Sequence, residues 1–534
     1  MAVQQPLSVP VRPWVPRWLA VTAAFVVMLP IIFINGAYTG CITEVSNTLG
    51  VLSEDISMAY YATTVGMAAA YPLVPKIRSV VTTKTILLVD LLMQVFLSFV
   101  CARTGQMEVV VICSFLIGFL KAFAMLEIIL MIRPFFSPAN VRSEFYAYFY
   151  PIVFSAGQIS MYLTAELAYR YQWQYMYYFV ILLLLIAILF ILALFRYGQK
   201  KIVIPFREID GRSMLLIAAA LLMTLYAATY FKTLDGFASP QIAVAAFTAP
   251  VLLWLFLRRQ TFRKNPYLHL ELLNSAKALI GYTFMIFVMF LSATSSLVTP
   301  YLTSVLRVDS VHANSIYLWM LPGFACGAFV CFWWLRWQRW RFRYLIAWGL
   351  SCFALSLAII YFGVSASGRY EMLFLPMALR GMGMMILFIA FGVYVVEELD
   401  PKLMIYNAFF LITCRSVLGP AFGSAFFNNL LYRTQLGNMN RLAEHLTLQD
   451  PLAAQQYASA LQQAAAHGNG AAEAGQLAVN GLYSTLQVQS LLVSVKEIVG
   501  YVLFVAIVMA VVACFIPFHK TLKVAIVKTG EDMV

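Results

Sequence analysis

Apolar residues along this chain come in long runs rather than at helical or alternating spacing, and short basic loops separate the runs. About 20 apolar residues cross the ~30 Å hydrocarbon core of a bilayer as a helix. Runs of that kind recur from Trp18 to Phe515. They predict about fourteen spans, near 17–38, 56–74, 85–102, 108–132, 145–166, 176–196, 213–232, 239–257, 279–304, 314–335, 344–364, 372–396, 404–429 and 495–517. Helices that are apolar on every side have no soluble fold, so the expected class is an all-α polytopic membrane protein. The first run is too long for a signal-peptide core and reads as a retained span.

One segment departs from this pattern. Residues 431–494 are polar and rich in Ala and Gln. Leu446, Leu448, Leu452, Tyr457 and Leu461 recur at roughly helical spacing. Asp450-Pro451 reads as a helix start and Gly468-Asn469-Gly470 as a turn. A helical hairpin outside the membrane, just before the last span, is the expectation.

Composition agrees: 62% of residues are hydrophobic, 11% are charged, and mean hydropathy is +0.82. The formal charge of +13 does not point to nucleic acid. Lys and Arg crowd one set of alternate loops, from Arg12 and Arg17 through Lys76, Arg78, Arg133, Arg142, Arg196 to Arg207, Arg258 to Lys264, and Arg336 to Arg343. The opposite set holds only Arg103, Arg170, Lys232, Arg307, Arg369, Arg433 and Arg441. That asymmetry places both termini in the cytoplasm and the basic loops against anionic lipid. Eight cysteines form no CxxC pair and five histidines form no ligand cluster, so no metal site and no cofactor is expected. No nucleophile elbow or phosphate loop is present, so no catalytic residues are assigned and the chain does not read as an enzyme.

Ionisable side chains at membrane depth cost roughly 2.5–3.5 kcal/mol each and mark function or structural pairing. The fourth span carries Lys121 and Glu127, about 120° apart around the helix. Arg380 lies in the twelfth span and Arg415 in the thirteenth. Together they suggest a central polar path, with Lys121, Arg380 and Arg415 on the substrate side. Glu127 is the candidate for proton coupling, because desolvation favours the protonated form of a carboxyl. Asp90, six residues past Lys84, reads as lying near the cytoplasmic interface. Tyr61, Tyr146, Tyr150 and Phe154 fall mid-span and are candidate cavity lining for bulky apolar, often cationic, compounds. Gly118, Gly157, Gly381, Gly383, Gly419 and Pro420 are candidate bending or gating points.

Several stretches, taken in order, resemble the major facilitator superfamily in its fourteen-span drug:proton antiporter branch. They are EVSNTLGVLSEDISMAYYATTVGMAAAYPL (Glu44–Leu73), WQYMYYFVILLL (Trp173–Leu184), the linker and extra spans within Arg207–Ile242, the stretch Asn265–Gly323, LRGMGMM (Leu379–Met385) and CRSVLGPAFGSAF (Cys414–Phe426). The family's loop after span two keeps only its basic residues here, in PLVPKIRSVVTTK (Pro72–Lys84). Its span-five Gly-Pro pattern is missing from Tyr150–Ser160, while Gly419-Pro420-x-x-Gly423-Ser424 stands in span thirteen.

The resemblance implies two six-helix bundles, within 1–197 and 278–534, joined by two linking spans in 198–277. It implies multidrug efflux by alternating access in a bacterial inner membrane. Its partners would be lipid, a small-molecule substrate and protons, with a periplasmic adaptor and an outer-membrane channel at the 431–494 hairpin. The competing readings are an uncoupled or dedicated-metabolite facilitator, and a non-transporting membrane sensor or assembly component.

Overall fold

The computed structural model describes residues 11–137, 141–197, 210–263, 265–337, 342–396, 399, 401–444, 451–466, 470–516 and 518. These residues are helical apart from short connections and one isolated bridge between Val11 and Phe195. We label the long helices α1 (Arg17–Gly40), α2 (Ser53–Ala70), α3 (Thr83–Arg103), α4 (Met107–Phe136), α5 (Arg142–Arg170) and α6 (Tyr175–Leu194). Next come α7 (Gly211–Thr229) and α8 (Pro240–Phe262), then α9 (Ala276–Val305), α10 (Ser310–Arg336), α11 (Phe342–Gly363) and α12 (Tyr370–Val396). The last are α13 (Tyr406–Glu444), α14 (Pro451–Ala466) and α15 (Ala471–Phe515).

Among the described residues, eleven helices are long and apolar enough to cross a membrane. The expected spans at 17–38, 56–74 and 145–166 fall on α1, α2 and α5, which are not among the eleven. In α1 the described apolar stretch is the shorter Trp18–Ile34. The other two carry polar and tyrosine-rich segments that lower their hydropathy.

The first six long helices pack in a definite order. α2 and α3 lie on α4, α3 also lies on α6, and α1 lies on α5 and α6. The later helices repeat most of that order: α10 and α11 lie on α12, α11 also lies on α15, and α9 lies on α13, but only the end of α9 reaches α15, which packs on α13 instead. Small residues let the backbones approach, which is how membrane helices associate where lipid removes the usual hydrophobic drive. A Cβ on Gly118 of α4 would stand 1.8 Å from the Thr63 carbonyl oxygen of α2. The matching pair in the later set uses Gly323 of α10, whose Cβ would stand 2.0 Å from the Ala378 oxygen of α12.

α7 and α8 pair with each other, and α7 also contacts α2 and α13. Polar contacts hold both ends of α7, one to α2 and one to α8. At one end Tyr230 donates to Asp55. At the other, Asp210 caps α7 by accepting from the Ser213 amide and pairs with Arg259 and Arg263, at 3.0 and 2.9 Å. Burial pushes the Asp210 carboxyl up, but hydrogen bonds from Arg259 and Ser213 outweigh it and hold the group below its ordinary value.

The 431–494 segment is less a separate hairpin than an extension of two membrane helices. α13 continues unbroken to Glu444, and α15 runs for 45 residues from Ala471 into the last span. α14 packs on α15, and Asn438 donates to Ser494 across the α13–α15 pair at 3.0 Å. Helix α14 begins at Pro451, as the Asp-Pro start predicts. Leu446, Leu448 and the Gly468-Asn469 turn lie outside the described residues, as does the Leu452 side chain.

Candidate functional site

Arg415 stands on a π-helical turn, Thr413–Leu418, inside α13. Such one-turn insertions rotate the helix locally and recur at functional sites. The turn aims the guanidinium at rings from both helix sets. Its carbon lies 5.7 Å from the centroid of Tyr150 on α5 and 5.5 Å from that of Phe388 on α12. Its charge also reaches Tyr60 on α2 and Tyr71 just beyond it. No described carboxylate hydrogen-bonds or ion-pairs with it. Cation–π contact, worth about 0.5–2 kcal/mol per ring depending on solvation, and a hydrogen bond with the Tyr150 hydroxyl hold this charge.

The predicted lining residues gather around this charge. Tyr146, Tyr150 and Phe154 form a column on α5, with Tyr146 stacked on Tyr150 at 4.9 Å and Phe154 meeting Phe388 at 5.0 Å. Tyr61 sits beside Tyr60, ring centroids 5.5 Å apart. Gly392 of α12 lies beside this column, where a Cβ would meet Tyr150 and Tyr146 at 3.5 and 3.7 Å, ordinary contact distances.

Lys121 and Arg380 are both buried, at 4% and 3% exposure, and do not face lipid. They occupy α4 and α12, which hold equivalent places in the two helix sets. One guanidinium nitrogen of Arg380, Nη2, is buried without a hydrogen-bond partner in the described structure. Lys121 makes no hydrogen bond or ion pair among the described residues. Glu127 joins neither of them. Its Oε1 accepts from Arg78 Nε at 2.9 Å and its Oε2 from the Thr83 hydroxyl at 2.7 Å. The four charges grouped by the sequence thus divide: Arg415 meets the rings, Lys121 and Arg380 sit within the two sets, and Glu127 ties α4 to the α2–α3 connection. Arg78 had counted only as a loop charge, and its pairing joins residues 49 positions apart in the chain.

Asp90 lies inside the helix set at 1% exposure, in the second turn of α3. Lys84 is itself buried, donating to the Phe195 carbonyl at 2.9 Å and lying 4.2 Å from the Tyr197 ring centroid.

The glycines also sort by surroundings. Gly118, Gly381 and Gly383 sit where a Cβ would strike a neighbouring helix's carbonyl oxygen, at 1.8, 2.6 and 2.6 Å. Gly419, at the end of the π turn, sits against Met289, and Pro420 follows it in the first turn of the resumed helix. Gly157 faces open space.

The two helix sets meet on both sides of Arg415. Toward the face bearing the α13–α15 projection, Asn314 donates to the Gly40 carbonyl at 3.0 Å and Ser310 donates to Glu44. Toward the opposite face, Tyr148 of α5 packs on Phe332 of α10 at 5.6 Å.

No protein-family model matches this chain, and no curated protein is similar to it in sequence. Solved structures do overlap it. The tetrameric PepTSo2 crystal structure gives a TM-score of 0.50 at 12% identity, covering 94% of this chain and 98% of that one. A structure concerned with substrate recognition in proton dependent oligopeptide transporters gives 0.50 at 11% identity, with the same coverages. The nucleoside transporter NupG gives 0.49 at 12% identity, covering 91% and 98%. At such identities the likeness speaks to fold alone: this chain shares the all-helical fold of solved membrane transporters.

Proposed function

We propose that the chain is a secondary active transporter of major facilitator type that moves amphipathic small molecules past Arg415 by alternating access. Helices α1–α6 form one bundle, α9–α13 with α15 form the other, and α7–α8 link them. The repeated packing order supports this division. The ordered sequence likenesses support the fourteen-span drug:proton antiporter branch and multidrug-type export. The Lys and Arg asymmetry supports both termini being cytoplasmic, and the family likeness supports a bacterial inner membrane, which puts the α13–α15 projection outside as the surface for an adaptor and outer channel.

The observation that carries the reading is a guanidinium held between rings of both bundles with no described carboxylate beside it. A cationic cargo would meet like charge there. The site therefore suits substrates with an apolar aromatic body and an anionic head, which amends the cationic preference suggested by the aromatics alone.

Coupling fits Glu127. Protonation from one side would release Arg78 and Thr83 and free the α2–α3 connection, and deprotonation would re-form the tie. In proteoliposomes, flux of a fluorescent organic anion should depend on an imposed pH gradient. Arg415→Gln should cut that flux at least tenfold, and Glu127→Gln should leave flux but remove its dependence on the gradient. Undiminished anion flux in Arg415→Gln would end the substrate assignment. The Glu127–Arg78 pair also suits an uncoupled facilitator, and wild-type flux indifferent to the gradient would select that reading. Purified protein that moves no solute would favour a sensor or assembly role instead.

A further inference from the structure

Helix α3 carries a second polar feature that the Arg415 site does not use. Asp90, Gln94 and Ser98 follow one another at four-residue spacing, so they share one face and climb it in steps of about 6 Å. All three are buried, at 1%, 0% and 0% exposure. Gln94 Nε2 donates to Asp90 Oδ1 at 3.1 Å. The remaining oxygens, Asp90 Oδ2, Gln94 Oε1 and Ser98 Oγ, have no hydrogen-bond partner in the described structure.

The surroundings supply no counter-charge. α3 packs on α4 and α6. On α4, the Ala124 backbone lies against Asp90, Cys113 neighbours Cys101, and Glu127 is engaged by Arg78 and Thr83. Lys121, also on α4, forms no ion pair with it. On α6 the nearest titratable group to this face is Tyr177, beside Cys101. On α3 itself, Lys84 is spent on the Phe195 carbonyl. An ionised carboxylate buried without a cation costs several kcal/mol, whereas a neutral acid needs only a hydrogen bond.

We propose that Asp90 is a proton-binding site inside the α1–α6 set, with Gln94 and Ser98 as the polar ladder along which water carries the proton in and out. The step is a simple association: Oδ2 of the carboxylate takes H⁺ to give the neutral acid, and release reverses it. Gln94 stays neutral and fixes Oδ1, which leaves Oδ2 as the atom that carries the proton. A metal ion is a poor fit, because Asp90 is the only carboxylate on this face and no three His, Cys, Asp or Glu side chains cluster among the described residues. The site is separate from Glu127, and the ladder climbs away from it toward the projection face.

Infrared difference spectroscopy on the full chain in lipid tests this without any transport assay, so it stands or falls apart from the proposed function. At neutral pH the wild type should show the carbonyl stretch of a protonated, buried carboxylic acid. That band should shift in D2O, vanish in Asp90→Asn and persist in Glu127→Gln. If Asp90→Asn does not fold, Gln94→Leu removes only the hydrogen bond on Oδ1 and should shift the band. A spectrum unchanged by Asp90→Asn, or a band unmoved in Gln94→Leu, overturns the site. A band that never responds to D2O marks a sealed acid and overturns the ladder.

Discussion

Helices α1–α6 and helices α9–α13 with α15 pack in much the same order but keep different interiors. Among the described residues, the first set buries Lys84, Asp90, Lys121, Glu127 and Arg142, while the second buries one ionisable side chain of full charge, Arg380. Its central helix α12 is the most deeply buried of the candidate membrane helices, at 89% of its apolar window. Shared packing geometry therefore does not dictate shared electrostatics. Glycine contacts set how close the helices come, and the remaining positions are free to carry charge or to exclude it. Groups that respond to protons are concentrated in the first set. The second contributes Phe388 to the rings and, through its π turn, Arg415.

The most damaging test of that equivalence is steric. Gly118→Leu should prevent recovery of folded, monodisperse protein, since its Cβ has nowhere to go without moving the Thr63 backbone, at a cost above about 3 kcal/mol. Gly323→Leu should do the same in the second set. Size-exclusion profiles showing that one is tolerated and the other is not would break the packing equivalence.

Next in size is the buried cation of each set. Replacing an unpaired internal charge with an apolar side chain of similar length removes a desolvation cost, so Arg380→Met and Lys121→Met should each raise the Tm, by about 1–4 kcal/mol of stability. Both should lower transport in proteoliposomes. A fall in Tm for either would mean that its charge is compensated.

Asp210→Asn probes the attachment of the linking helices and should have a smaller, pH-dependent effect. The folded-state carboxyl is held below its ordinary value by Arg259 and Ser213. A depressed carboxyl stabilises above its unfolded pKa, and that contribution is lost as pH falls through the folded value. Wild type should therefore exceed Asp210→Asn in Tm at pH 7, and the gap should close below about pH 4. A gap that does not vary with pH would remove the ion pair as its cause. The least effect belongs to Glu166→Gln, because Glu166 is half-buried and meets an exposed Arg170 as an i,i+4 pair. Its loss should change stability by less than about 1 kcal/mol in the same melts.

The long apolar runs were legible because one-dimensional hydropathy reports lipid exposure directly. Two features escaped it for a physical reason. The continuity of α13 and α15 beyond the membrane depends on helix propensity in Ala- and Gln-rich sequence, which hydropathy does not register, so one rod reads as a span plus a loop. The burial of Asp90 within the bundle depends on which face of α3 meets α4 and α6, which hydropathy along one dimension does not report. The column of Tyr146, Tyr150 and Phe154 was readable from its four-residue spacing, since such positions stack along a helix. That Arg415 lies between those rings was not, because a π turn shifts the angle of everything after it.

Helix α15 has a mechanical consequence. Its 45 residues reach about 68 Å at about 1.5 Å per residue, so well over 30 Å lies beyond the hydrocarbon core. It is one unbroken helix from Ala471 to Phe515, so no joint separates its membrane portion from its far end. A tilt of about 10° within the bilayer would sweep the tip through about 6 Å, the pitch of one helical turn. The projection thus works as a lever arm that turns a small rotation at depth into a displacement large enough for a neighbouring molecule to feel.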